Sequence, residues 1–398
     1  MPICFAHADA RGFVYGPTLK QVYAMIRRAY GIRPQRINAL QFAGGEPTLA
    51  DTFLPACRYA KKLGFRVVHA ATNGLRFADL DFCCAAKEAG LDGLDDDIYR
   101  QTRGCPLLET KMKVIESCRK AGLWIVFVPT IVKGINDREL GRIMHLAIEN
   151  ADIMHGIAFQ PVAFTGRIDH EERIRYRYTL ADMAHDLEEQ TGLVSARDDF
   201  YHLSALYPLT TFFSMTIPKN GKVYLNLTSH AHCGLGTYVL VDRERGIEGT
   251  VPVFRLFDFE NMLIEIHNLN RELLNARNSR YSVKALRHGL SILQRNFRKD
   301  NSLGIGFLSF MTALMGMMGR GRQYHYHSRW KFLLIGGMHF QDAYNYEIER
   351  VKRCVIIYAT PAGGDGSDVR FYPFCAYNSG PGFRDKVERL FSQPMKEN

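Results

Sequence analysis

From Thr18 to Val162, apolar positions at helical spacing alternate with short apolar runs, the rhythm of crossover helices feeding parallel strands. A helix is expected over 18–30 and a strand over 37–42. A second helix, over 51–63, leads to a strand over 65–71 that Thr72-Asn73-Gly74 closes. Helices follow over 78–89 and 108–121, then a strongly apolar strand over 123–129, a helix from Asp137 and a strand over 156–162. This is an α/β pattern, a partial (β/α) barrel whose chemistry belongs at the C-terminal ends of its strands. Between the helices at 78–89 and 108–121, the run Gly90-Leu91-Asp92-Gly93-Leu94-Asp95-Asp96-Asp97-Ile98 is polar and short for a buried stave. One barrel strand is therefore expected to be missing, leaving its neighbours with unpaired edges.

Beyond the barrel the pattern becomes mixed α+β. A charged helical segment over 173–192 leads out, and strands over 223–227 and 237–241 flank Thr228-Ser229-His230-Ala231-His232-Cys233-Gly234. A helix over 260–277, a basic amphipathic helix over 282–297 and an apolar run over 303–318 follow. The expected division is a barrel over 1–175, a bridging segment over 176–259 and a C-terminal substrate region over 260–398.

Composition narrows the function classes. With 46% hydrophobic and 23% charged residues the 398-residue chain is globular and long enough for more than one domain. Nine cysteines and no secretory pattern at Met1 argue for a cytoplasmic protein without a disulfide framework, so the cysteines read as metal ligands or core thiols. The formal net charge of +10 asks for an anionic partner, and much of it gathers at Arg280, Lys284, Arg287, Arg295, Arg298, Lys299, Arg320, Arg322, Arg329 and Lys331. No helix-turn-helix, zinc finger or aromatic RNA-binding strand accompanies it, which argues against nucleic acid.

The most specific chemistry lies in Leu40-Gln41-Phe42-Ala43-Gly44-Gly45-Glu46-Pro47-Thr48, a strand running into two glycines that let backbone approach a ligand. Upstream is Cys4 with an aromatic residue directly after it. Together these resemble the radical SAM superfamily, in which a CxxxCxxC cluster motif is followed by a Gly-Gly-Glu-Pro strand end holding the methionine amino group of S-adenosyl-L-methionine. The resemblance makes Cys4 the third cysteine of that motif and a ligand of the 4Fe-4S cluster; the alternative is an ordinary buried thiol. Met1 stands where the middle cysteine belongs, so the chain is expected to be N-terminally truncated and short of a complete cluster site. The same likeness places Gly44, Gly45, Glu46, Pro47, Thr72 and Asn73 at the methionyl end of the cofactor.

Further segments match one subgroup. They are Thr102-Arg103-Gly104-Cys105-Pro106-Leu107-Leu108, Pro129 to Asp137, Phe159 to Arg167, His232-Cys233-Gly234, Gly337 to Asp342, Arg350 to Cys354 and Pro373 to Asn378. They resemble the archaeal-type tetraether lipid synthase and dihydropterin dimethyltransferase subgroup. In that family a strand ending in Phe-Asp-Gly stands where Gly90 to Ile98 lies here, which reinforces the expected loss of a stave. The likeness implies a deoxyadenosyl radical acting on unactivated carbon, a low-potential electron donor, and an auxiliary iron-sulfur or iron site with Cys233, Cys354 and Cys375 as ligands. Ser229 and Ala205 stand where that pattern suggests cysteine. Cys354 and Cys375 lie on apolar segments joined by the turn-rich Pro361 to Ser367, so a hairpin brings them together either as ligands or as core thiols on neighbouring strands.

The run Leu303 to Met318 is apolar on every face, rich in methionine and bracketed by basic residues, yet short for a membrane span. It reads as a hydrocarbon site beside an anionic membrane surface, with peripheral membrane contact, or as a buried helix with a solvated basic neighbour. Three functions remain in view. The first is coupling or modification of lipid hydrocarbon chains; the second is methyl transfer to a dihydropterin, a small-molecule substrate; the third is a catalytically incomplete remnant.

Overall fold

The computed structural model describes residues 13–33, 37–96, 108–164, 169–216, 227–275, 283–318, 328–363, 368–380 and 382–394. Cys4, the Thr102 to Leu107 motif, Gly166, Arg167 and nearly all of the strand expected at 223–227 lie outside them. So do Arg280, Arg320 and Arg322. The chain forms two compact units, each assembled from segments distant in sequence. One comprises Met1–Val132, Gln160–Arg177 and Phe340–Asn398, and the other Lys133–Phe159 and Tyr178–His339.

The first unit opens with β1 (Phe13–Tyr15) and α1 (Leu19–Tyr30). α1 starts where a capping box fixes it: Thr18 Oγ1 accepts from Gln21 N–H at 3.4 Å while Gln21 Oε1 accepts from Thr18 N–H at 2.9 Å. Val22, Ile26 and Ala29 form its buried stripe. The repeat continues through β2 (Ala39–Phe42), α2 (Phe53–Leu63), β3 (Val67–Thr72), α3 (Leu80–Glu88), β4 (Gly93–Asp96), α4 (Leu108–Ala121), β5 (Trp124–Phe127) and the short β6 (Thr130–Ile131). Strands β2, β3, β4 and β5 pair in that order, all parallel, as helical crossovers require.

β4 overturns the expectation of a missing stave. It pairs on both sides, Ala70 with Leu94 and Leu94 with Ile125, so no edge is left open there. A parallel ladder is made by backbone groups, and three features let this polar window supply them. Leu91 and Leu94 are fully buried. Asp92 is satisfied by Lys61 Nζ at 2.5 Å and Val68 N–H at 2.9 Å. Gly93 lies under an aromatic neighbour, where a Cβ would come within 2.2 Å of the Trp124 ring.

In the second unit α5 (Leu140–Glu149) precedes β7 (Met154–Pro161), whose last two residues belong to the first unit. The Gln160–Arg177 segment carries α6 (His170–Tyr176), and the chain then returns to the second unit at α7 (Leu180–Thr191). There follow β8 (Tyr201–His202), α8 (Tyr207–Thr216), β9 (Gly234–Asp242), β10 (Thr250–Pro252), α9 (Phe259–Asn275), α10 (Val283–Arg295), α11 (Phe307–Met318) and β11 (Trp330–Met338). The sequence pattern placed no strand at 330–338, yet β11 is central. It runs antiparallel to β9 along its whole length and parallel to β7 from Leu334 to Gly337. A side chain at Gly337 would meet Met183 Sδ at 2.6 Å and Phe159 O at 2.9 Å.

The core of this unit gathers Phe212, Leu240, Leu256, Ile266, Phe297 and Phe332. α11 contributes to it: Phe310 and Ala313 are buried there, with Phe307, Met311 and Leu314 packed alongside, while Leu308 stays 79% exposed. The apolar run is thus divided, with Ile305, Phe310 and Ala313 in the core and Leu308 and Met315 exposed. Among the described residues no helix is long and apolar enough to cross a membrane.

The chain ends in the first unit with α12 (Ile348–Lys352), the antiparallel hairpin β12 (Ile357–Ala362) and β13 (Asp368–Pro373), α13 (Phe374–Ser379), α14 (Phe383–Phe391) and β14 (Ser392–Pro394). β14 pairs antiparallel with β1, Phe13 opposite Pro394.

Candidate functional site

The C-terminal ends of β2 and β3 converge on Glu46. Its Oε1 accepts from Thr48 N–H at 3.1 Å, Thr48 Oγ1 at 2.6 Å and Thr72 Oγ1 at 2.7 Å, and its Oε2 accepts from Asn73 N–H at 2.6 Å. A carboxylate offers about four acceptor positions, so Oε1 is saturated and Oε2 retains room for a further donor. Gly44 and Gly45 beside it are exposed, and a Cβ at Gly44 would meet nothing within 4 Å. The arrangement is a fixed anion with open backbone next to it, which suits the ammonium of an amino acid.

Three residues beyond the predicted cofactor-binding ones brace it. Thr48 is 1% exposed and supplies two of the donors to Glu46. Its carbonyl accepts from the Arg76 guanidinium. Lys111, on α4 and 2% exposed, donates from Nζ to Asn73 O at 2.7 Å. Thr48 had a legible signal, a hydroxyl residue two places after a turn carboxylate. Lys111 had none, because only the packing of α4 brings it to β3.

The predicted metal ligands divide between the units. Cys233 ends a short 3₁₀ turn before β9 in the second unit, partly exposed. Cys354 and Cys375 flank the open end of the β12–β13 hairpin in the first, Ile357 pairing with Pro373 between them. Cys354 Sγ donates to Ile356 O at 3.1 Å, and buried Cys375 Sγ accepts from Gln341 N–H at 3.5 Å. Both thiols act on Tyr346, whose hydroxyl is raised above the ordinary phenol value by burial first and then by Cys375 and Cys354. Among the described residues no third His, Cys, Asp or Glu joins Cys354 and Cys375 in a set with ligand atoms within 4.8 Å of one another. Two thiols are short of a closed cluster donor set. Cys57, Cys83 and Cys118 are buried on α2, α3 and α4, and burial pushes the Cys57 thiol up to about 12, the condition of an inert structural thiol.

Several family-like segments are stitched together in the first unit. Gln160 N–H donates to Pro129 O and Val162 N–H to Ile131 O, each at 2.9 Å. Phe164 N–H donates to Asp342 Oδ1 at 2.7 Å, and Asp342 Oδ2 accepts from the Arg177 guanidinium. Asp342 is 2% exposed and acts as a staple between the Gln160–Arg177 segment and the C-terminal one.

Residues 2–147 match the model of the radical SAM superfamily. The 7,8-dihydro-6-hydroxymethylpterin dimethyltransferase of Methanocaldococcus jannaschii is 36% identical over 410 residues, covering 100% of this chain and 77% of its own. The chain belongs to the radical SAM superfamily. Two further relatives are similar over part of the chain. A probable GTP 3',8-cyclase of Sulfurisphaera tokodaii is 28% identical over 180 residues, 43% of this chain and 54% of that protein. One of Saccharolobus islandicus is 29% identical over 145 residues, 34% of this chain and 46% of that protein. Membership brings S-adenosyl-L-methionine and a 4Fe-4S cluster as the superfamily's cofactors, and Glu46 with the open glycine backbone fits the methionyl end. Cys4, the expected cluster ligand, lies outside the described residues.

Proposed function

We propose that this radical SAM protein methylates a dihydropterin, a small-molecule substrate, rather than joining lipid chains. The observation that carries the reading is full-length similarity to a protein named for dimethylation of a dihydropterin. The fold supports it from a second direction. The apolar run that suggested a hydrocarbon site places Phe310 and Ala313 in the core of the second unit, which leaves less apolar surface for a lipid tail. In this reading Glu46 holds the methionyl ammonium through Oε2, Gly44 and Gly45 leave room for the rest of the amino-acid end, and Thr72 and Asn73 fix the carboxylate. Bound S-adenosyl-L-methionine would supply a radical, and a second molecule of it the methyl group. Cys4 at the first cluster, Cys354 and Cys375 in the first unit and Cys233 in the second are the proposed iron ligands, and a low-potential donor supplies electrons.

The test is anaerobic incubation of the protein with iron, sulfide, dithionite, S-adenosyl-L-methionine carrying a labelled methyl group, and a 6-hydroxymethyl dihydropterin. Label in the pterin is expected. Coupled or modified chains in a parallel incubation with archaeal-type ether lipids, with no label in the pterin, would restore the lipid reading. Deoxyadenosine absent under every condition would support the incomplete remnant.

A further inference from the structure

We infer that Lys111 is a positioning residue for the Glu46 carboxylate, acting through the Asn73–Gly74 peptide and the Thr72 hydroxyl. The inference rests on the proposed role of Glu46 as partner of the methionyl ammonium. Four groups form an unbroken line: Lys111 Nζ donates to Asn73 O at 2.7 Å, Gly74 N–H donates to Thr72 Oγ1 at 3.0 Å, and Thr72 Oγ1 donates to Glu46 Oε1 at 2.7 Å. The carbonyl that Lys111 grips and the N–H that reaches Thr72 belong to the same peptide unit.

Donor and acceptor rules fix the direction of this line. An ammonium only donates and an ionised carboxylate only accepts. The Thr72 hydroxyl, receiving the Gly74 N–H, is left to point its own proton at Glu46. An ammonium on the peptide carbonyl strengthens the N–H of that peptide as a donor, which strengthens the hydroxyl in turn. With Oε1 held by Thr72 and Thr48, Oε2 is the oxygen left for a ligand, and its direction is set by the same contacts.

The position of Lys111 argues that this is more than packing. It is the fourth residue of α4, near the helix end that repels cations, and it is 2% exposed. A buried ammonium there is costly unless something anionic or strongly dipolar answers it. An apolar residue of similar length would fill the space without that cost. If Lys111 served only to pack, Lys111→Met would leave ligand binding alone and keep or raise the melting temperature.

Calorimetric titration of the full chain with S-adenosylhomocysteine, and with its analogue lacking the amino group, tests the relay. Lys111→Met is expected to weaken S-adenosylhomocysteine by about tenfold, the scale of one charge-assisted hydrogen bond, and to leave the deaminated analogue unchanged. Thr72→Val should produce the same selective loss, and Thr72→Ser should restore wild-type affinity. Equal affinity of wild type, Lys111→Met and Thr72→Val for S-adenosylhomocysteine overturns the relay. Glu46→Gln separates this failure from the other. If Glu46→Gln weakens binding while Lys111→Met and Thr72→Val do not, the relay alone is wrong. If Glu46→Gln has no effect, or the native protein binds neither ligand, the assignment of the ammonium site falls and the relay with it.

Discussion

Among the described residues two lysines are buried, one in each compact unit, and their surroundings differ sharply. Lys111 lies at the strand ends of the first unit, where its ammonium meets the Asn73 carbonyl and the neighbouring carboxylate is surrounded by donors. Lys331 sits on β11 in the sheet of the second unit, 1% exposed, with Nζ lacking any hydrogen-bond partner. Burial, then the nearby Arg243 charge, pushes the Lys331 ammonium down to about 8, while Asp152 works in the opposite direction. A polar group out of water is tolerated at a candidate ligand site because the turn around it is saturated with hydrogen bonds. The same residue type in a sheet core is a standing stability defect.

The largest effect should come from emptying the saturated site. Glu46→Ala leaves the Thr48, Thr72 and Asn73 donors without their acceptor and removes the ammonium partner. Affinity for S-adenosylhomocysteine should fall on the order of a hundredfold, measured by calorimetry; retention of wild-type affinity would remove Glu46 from the ligand site.

Lys331→Met should act in the opposite sense, stabilising the protein by ~1–3 kcal/mol at neutral pH. Because the folded-state value lies below the ordinary lysine value, the unfolded chain binds more protons between about pH 8 and the unfolded lysine value near 10.5. Wild-type stability therefore gains as pH rises through that window, and the advantage of Lys331→Met shrinks across it. Denaturant titrations at pH 7 and pH 10 check this, and an equal gain at both would break the contrast between the two lysines.

A partnered charge in the same sheet supplies the control. Asp242 is buried on β9 and held by Arg329, with Nε donating to Oδ1 at 2.9 Å and Nη2 to Oδ2 at 2.5 Å. Burial alone would raise its carboxyl, but the Arg329 contacts outweigh it and the net direction is down. Its stabilising contribution is present above the unfolded aspartate value and is lost as pH falls through the lower folded one. Asp242→Asn should cost about 1–2 kcal/mol, moderated because Arg329 is 46% exposed and can hydrate. No change in the urea midpoint would count against the pairing.

The smallest change is expected from Asp152→Asn, which removes a carboxylate drawing Lys331 toward its charged form. A loss of a few tenths of a kcal/mol, confined to pH below about 8 and absent in the Lys331→Met background, would sharpen the comparison by double-mutant cycle.

Much of the first unit was legible because its determinants are local. The helix over 108–121 carries its own apolar periodicity and has the bounds expected of it, and Thr18 with Gln21 marks the start of α1. The Glu46 turn stood out because two glycines, a carboxylate and a proline follow a strand without interruption. β4 was misread because four aspartates dominate the window Gly90 to Ile98, whereas a stave is defined by what lies on either side of it: Val68 and Lys61 answer Asp92, and Trp124 covers Gly93. β11 went unread in a stretch whose basic residues drew the interpretation toward surface and partner, although Phe332, Leu333 and Ile335 are core.

The sequence by itself determined the elements whose hydrogen bonds close within a turn or two of chain, the parallel α/β rhythm, and the acidic turn at Glu46 with its superfamily likeness. Tertiary structure alone decided the rest. The interleaving of two units, the return of Ser392–Pro394 to pair with Phe13–Tyr15, the burial of Phe310 and Ala313 from an apolar run, and the line from Lys111 to Glu46 depend on partners far away in the chain. The physical reason is that side-chain periodicity records which face is buried but not what buries it. A ladder partner, a cation on a carbonyl or a ring over a glycine is chosen only when distant segments compete for the same space.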